Sequence, residues 1–252
     1  FVLRCSSLPY CLKVKMTSVR TTYIALLLVF VSACSSTKTT SKKSDQQAVA
    51  VESQFTYLAL GDSYTIGEMV DPQQSFPFQL ASALAAKTEL NIATPRVIAK
   101  TGWRTDELLD SITVVKEQYD LVSLLIGVNN QYQGKEIDVF TKEFKLLLEK
   151  AIGFSKTAEN GVFVYSIPDY SVMPFMRGKD VKKVRAEIKN YNSICAAVAE
   201  KIGVNFYDIT PISQKVQYDS GLIADDKLHP SGAMYGMWVS EYVDQIISNQ
   251  LR

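Results

Sequence analysis

Ser63 stands in Gly61-Asp62-Ser63-Tyr64, directly behind a short apolar run. A serine hydroxyl is a weak nucleophile until a base takes its proton. A glycine just upstream permits a sharp turn out of a strand. The chain contains one histidine, His229, so a base of that type has no competitor. It lies in Asp225-Asp226-Lys227-Leu228-His229-Pro230. Asp226, three residues earlier, can reach one ring nitrogen across a turn, fixing the tautomer and favouring the imidazolium that forms during proton transfer. Asp225, at i−4, is the weaker alternative. Pro230 biases His229 away from helical backbone and can itself occupy a first helical turn, which would put the imidazole at the mouth of a helix. A lone histidine is commonly structural and Gly-Asp-Ser recurs by chance, so the weight rests on the combination.

These residues need elements that bring them together. Strand-like runs are Phe55–Leu60, Arg96–Ala99, Leu121–Ile126, Val162–Ile167 and Val204–Ile209, each short, apolar and rich in Val, Ile, Leu or aromatics. Near-continuous apolarity suits strands buried on both faces. Helical patterns alternate with them: about Ser75–Ala86, a segment opening at Thr105 with Asp106 and Glu107, about Asp138–Lys156, and a run after Pro230 carrying Met234, Met237, Trp238 and Ile246. In the clearest, Val181, Val184, Ile188, Tyr191, Cys195 and Val198 step by three and four. Such alternation predicts a parallel sheet with helices on both sides, whose sites form beyond the carboxyl ends of the strands. There the sequence places Gly61-Asp62-Ser63-Tyr64, Lys100-Thr101-Gly102-Trp103, Gly127-Val128-Asn129-Asn130 and Asp226-Lys227-Leu228-His229.

Gly61-Asp62-Ser63, Gly102, Gly127-Val128-Asn129 and Asp226-Lys227-Leu228-His229 resemble, in order and spacing, the four blocks of the SGNH (GDSL) hydrolases. The resemblance spans nearly all of residues 55–235. It implies a flavodoxin-like three-layer α/β/α fold around a five-stranded parallel sheet, and ester hydrolysis through a serine acyl-enzyme. Carried over, Ser63 is the nucleophile, His229 the base and Asp226 its orienter. The N–H groups of Ser63 and Gly102 and the Asn129 amide would form the oxyanion hole. Two positions depart from the family pattern. Tyr64 replaces the usual Leu, which should affect packing more than chemistry. Asn130 replaces the usual Asp, losing a carboxylate but keeping a hydrogen-bonding role. Thr65 occupies the place where a Gly-x-Ser-x-Gly elbow needs glycine, which argues against the α/β-hydrolase fold.

The loop Pro168–Met176 should lie beside the catalytic edge. Tyr170, Met173 and Phe175, with Trp103 and Tyr132, are candidates for a substrate wall, and Arg104 for meeting an anionic substrate; packing under the loop and pairing with a surface acid are equal alternatives. No Gly-x-Gly-x-x-Gly or Walker A loop is present, and one histidine with few cysteines makes a zinc site improbable, so no cofactor or metal is expected. With 27 Lys+Arg against 26 Asp+Glu, the chain has no electrostatic footprint for nucleic acid. The partner expected is a small-molecule, glycan or lipid ester. Two other readings stay open: a non-catalytic envelope binding protein on a retained hydrolase fold, against which the complete residue set argues, and an acyltransferase that excludes water.

Residues 1–33 read as an upstream extension followed by a lipoprotein signal peptide. Met16 is the expected start, Arg20 the basic region and Tyr23–Ala33 the apolar run, far short of the ~20 residues of a membrane span. Val31-Ser32-Ala33-Cys34 resembles a bacterial lipobox, which implies lipidation of Cys34. Residues 34–53 form the expected tether, since 35–47 hold only Ser, Thr, Lys, Asp and Gln and cannot bury apolar surface. Residues 54–252 form the expected hydrolase domain. Cys195 is the one cysteine within it, so a buried thiol and no disulfide is expected there. This organisation predicts a protein of the cell envelope, membrane-attached through Cys34, at the outer membrane if the source is Gram-negative.

Overall fold

Five short apolar segments form one sheet in the computed structural model of the chain, which describes residues 54–251. The expected leader over 1–33, the tether over 34–53 and the lipidated Cys34 lie outside the described residues. In chain order the elements are β1 (Tyr57–Gly61), α1 (Ser63–Ile66), α2 (Phe76–Lys87), β2 (Arg96–Ala99), α3 (Thr105–Ser111), β3 (Leu121–Leu125), α4 (Val128–Tyr132), α5 (Ile137–Gly153), β4 (Val162–Tyr165), α6 (Val181–Ile202), β5 (Asn205–Tyr207), α7 (Thr210–Ser213) and α8 (Gly232–Gln250). All pairings are parallel, in the order β2-β1-β3-β4-β5. Leu58 pairs with Arg96 on one side and Val122 on the other.

Burial follows strand position. Every residue of β1, β3 and β4 is buried, as expected for strands covered on both faces, whereas β2 at one edge is half-buried throughout. One helical layer pairs α2 with α8. Phe76 of α2 meets Tyr165 of β4 edge-on at 5.3 Å and Trp238 of α8 at 6.1 Å. The other layer contains α3, α5 and α6, where the Phe140 ring of α5 lies 4.4 Å from that of Tyr191 in α6. Cys195, in the clearest helical pattern, is free and buried, and burial pushes its thiol well above the ordinary range. This is the three-layer α/β/α arrangement that the alternating patterns predict. Among the described residues no helix is long and apolar enough to cross a membrane.

The sheet order also locates the functional crevice. The chain steps from β1 outward to β2, then returns to lay β3 on the other side of β1. Ligands of open α/β sheets bind where strand order reverses in this way, and Ser63 and Asn129 follow the two strands flanking that point.

Candidate active site

Gly61 ends β1 where no side chain fits. A Cβ there would sit 2.1 Å from Thr65 Oγ1 and 2.3 Å from the Leu125 carbonyl oxygen. Asp62 then breaks the strand and caps α1, its Oδ1 accepting the Tyr64 N–H at 3.0 Å. Ser63 is thereby presented at the first position of α1, above the end of the sheet.

His229 arrives from a loop closed on itself. Ile223 and Pro230 form an isolated antiparallel bridge, and the Ala224 N–H donates to the His229 carbonyl at 2.8 Å. Within this loop Lys227 adopts φ 66°, turning the chain so that Asp226 faces the imidazole. Asp226 Oδ1 accepts the N–H groups of Leu228 and His229, both at 3.0 Å, leaving Oδ2 for His229 Nδ1 at 2.5 Å. The other ring nitrogen, Nε2, lies 3.0 Å from Ser63 Oγ. Burial alone would raise the Asp226 pKa, but the hydrogen bonds from the His229 ring and from the two N–H groups outweigh it and hold the carboxyl below its ordinary value. Asp225 is exposed and plays no part in this chain of contacts, so the i−3 aspartate orients the ring. Pro230 departs from the expectation: it belongs to the bridge, not to the helix. Ser231 caps α8, and Gly232 opens it, because Pro230 is held by its pairing with Ile223.

Gly102 and Asn129 come from the loops after β2 and β3. Gly102 has φ 85°, a conformation that favours glycine. The Asn129 side-chain Nδ2 donates to the Trp103 carbonyl at 2.9 Å, which orients the amide and leaves its second N–H for another acceptor. Among the described residues, the N–H groups of Ser63 and Gly102 have no acceptor. These three donors, Tyr64 and His229 share one cleft of about 200 Å³ with Thr101, Val128, Tyr132, Tyr170, Phe175 and Leu228. A larger hollow of about 410 Å³ lies between α6 and the end of β5, but it contains none of these residues.

Three of the six residues expected at the substrate pocket therefore line the cleft: Tyr132, Tyr170 and Phe175. Three do not. Trp103 contributes its carbonyl and packs its ring against the core. Arg104 is committed to Asp106 at 2.9 Å, Glu107 at 3.3 Å and Gln133 at 2.8 Å. Met173 is buried under the loop. Sequence reasoning missed Thr101, Val128 and Leu228 as lining residues; each directly adjoins a motif residue, which was the available signal. Tyr64 packs as expected, its ring edge-on to His229 at 5.6 Å.

The arrangement can relay a proton from a hydroxyl through an imidazole held by a carboxylate, in a cleft that Gly102 and Asn129 also line. Comparison with known proteins agrees with the architecture. An acetylxylan esterase from Geobacillus stearothermophilus, Axe2, superposes with a TM-score of 0.58 at 19% identity, covering 78% of this chain and 95% of that one. The psychrotrophic esterase EstA from Pseudoalteromonas sp. superposes with a TM-score of 0.56 at 16% identity, covering 77% and 97%. TesA gives 0.57 at 17% identity, covering 76% and 97%. At these identities the likeness is one of fold. No curated protein matches the sequence. The model of the GDSL-like lipase/acylhydrolase family matches residues 59–237, well over half of the chain. With all four motif blocks inside that span, the chain belongs to the GDSL-like lipase/acylhydrolase family, the SGNH carboxylic ester hydrolases.

Proposed function

We propose that this ester hydrolase works through an acyl-enzyme on Ser63, with His229 as general base and then general acid and Asp226 as its orienting carboxylate. The reading rests on the unbroken contact chain Ser63 Oγ–His229 Nε2 and His229 Nδ1–Asp226 Oδ2. His229 takes the Ser63 proton as Oγ attacks the ester carbonyl, and Asp226 stabilises the imidazolium. Oxyanion charge is met by the Ser63 and Gly102 N–H groups and the free Asn129 N–H. Collapse of the tetrahedral intermediate expels the alcohol, which takes the proton from His229. Water then repeats the sequence and releases the acid.

The cleft favours a small acyl group. Its volume of about 200 Å³ lies below the roughly 300–1,000 Å³ of pockets that enclose larger ligands. Short-chain acyl esters, such as acetyl groups on carbohydrates, fit this space better than long-chain lipids. Purified protein assayed on p-nitrophenyl esters from two to sixteen carbons should show kcat/KM falling steeply beyond about four. Ser63→Ala should abolish turnover, and a Ser63→Ala protein of undiminished activity would remove the assignment. We further propose that the enzyme is tethered in the cell envelope through a lipidated Cys34, based on the lipobox-like Val31-Ser32-Ala33-Cys34. A fatty-acid probe should label the wild type and not Cys34→Ala; equal labelling would refute the tether.

A further inference from the structure

Two of the three oxyanion donors sit beyond strands that do not pair with each other. Gly102 follows β2 and Asn129 follows β3, and β1 lies between these strands. The ladders to β1 fix the strand ends, and the segments beyond those ends are tied to each other by side chains. Asn129 reaches the Trp103 carbonyl. Its neighbour Asn130, almost wholly buried, makes two bonds to Thr105 at the first position of α3: Oδ1 accepts the Thr105 N–H at 3.0 Å, and Nδ2 donates to Thr105 Oγ1 at 2.6 Å. Thr105 Oγ1 in turn donates to Glu143 Oε2 of α5 at 2.5 Å.

The polarity of this relay is forced. A threonine hydroxyl has one hydrogen to give, and a carboxylate only accepts. Once Glu143 takes that hydrogen, whatever meets the other side of Oγ1 must donate. An amide at position 130 can accept the Thr105 N–H with one atom and donate to Oγ1 with the other, which an ionised carboxylate there cannot do. We propose that Glu143 is a positioning residue for the oxyanion hole: by polarising Thr105 it fixes the Asn130 amide, and with it the distance between the Asn129 and Gly102 donors. This rests on the assignment of those two donors given above.

The test exploits the reversibility of the relay. Asn130→Asp sets two acceptors against one hydroxyl hydrogen, and should lower kcat for p-nitrophenyl acetate roughly 10- to 100-fold with KM within about twofold, the scale expected for a displaced catalytic group. Glu143→Gln alone keeps an acceptor oxygen and should have a small effect. The double variant Asn130→Asp/Glu143→Gln restores a consistent relay running the other way: the introduced side-chain amide donates to Oγ1, and the hydroxyl donates to the introduced carboxylate. It should return kcat to within about threefold of wild type. Glu143→Leu, measured well below its melting temperature, should lower kcat without raising KM. The proposal falls if the double variant is no more active than Asn130→Asp, or if folded Glu143→Leu retains full kcat. Should Asn130→Asp fail to fold, a folded and active double variant still supports the coupling, and an unfolded double variant overturns it. Asn129→Ala in the same assay separates the premises. If it loses kcat while the double variant gains nothing, only the role of Glu143 fails; if it keeps full kcat, the oxyanion assignment and this inference fail together.

Discussion

Asp62 is wholly buried beside the nucleophile, with Oδ2 unpartnered among the described residues. Burial pushes its pKa up to about 7 against the lowering by backbone N–H donors. The folded state therefore holds the proton more tightly than the unfolded chain. The associated stability is fully present below about pH 4 and is lost as pH rises toward 7. Asp62→Asn keeps an oxygen for the Tyr64 N–H and removes the charge, so its melting temperature should gain on wild type by on the order of 5 °C more at pH 8 than at pH 5. An equal difference at both pH values would show that Asp62 does not titrate in this range. Asn129 answers to a different measurement. If its free N–H meets the oxyanion as proposed, Asn129→Ala should lower kcat by about 100- to 1,000-fold and leave KM nearly unchanged. A rise in KM alone would make the residue a substrate contact. Ser63, His229, Asp226, Gly102 and Asn129 were legible because each belongs to a short motif with a chemical purpose. Trp103 and Met173 do not line the cleft, and Arg104 takes its alternative of pairing with acids, because adjacency along the chain says nothing of which way a side chain faces. Arg104 precedes α3, its backbone N–H donating to Glu107 Oε2 and its guanidinium turned onto Asp106.

At the scale of elements, the join of β1 to α1 is the most constrained. A methyl group at Gly61 would meet both the Thr65 side chain and the Leu125 carbonyl, and the latter belongs to the neighbouring strand and cannot rotate away. Gly61→Ala should cost about 1–3 kcal/mol and lower kcat as well, because the shift propagates directly to Ser63; thermal melts and steady-state assays on the same sample would check both. All five strands were legible from apolar runs, and Arg96–Ala99 matches to the residue. β1 extends one residue past its run, to Gly61, while β3, β4 and β5 end earlier than theirs: β4 stops at Tyr165, although Ser166 and Ile167 remain buried, because beyond it the Ile167 N–H and carbonyl are taken by the Asn192 side chain of α6. No hydrophobic pattern reports such a partner. The start of α8 slipped for a related reason, since a bridge to Ile223 claims Pro230.

Across the whole molecule, chemistry and stability occupy different places. Every reactive group hangs from a loop or short helix at the carboxyl edge of the sheet, while the core runs between the α2–α8 layer and the α3–α5–α6 layer. The layer architecture was legible because alternation of strand and helix admits few arrangements. The wall of the cleft was less so, because it combines residues from five separate segments of the chain. One contact spans most of the chain: Ser63 and His229 are 166 residues apart. A ribosome adding about 5–20 residues per second leaves roughly 10–30 s between the emergence of the two. Throughout that interval Ser63 has no imidazole beside it, and the apolar side of α2 around Phe76 lacks its cover from Trp238. On the proposed mechanism the nascent polypeptide is thus a silent enzyme, and it gains hydrolytic competence only after His229 has emerged.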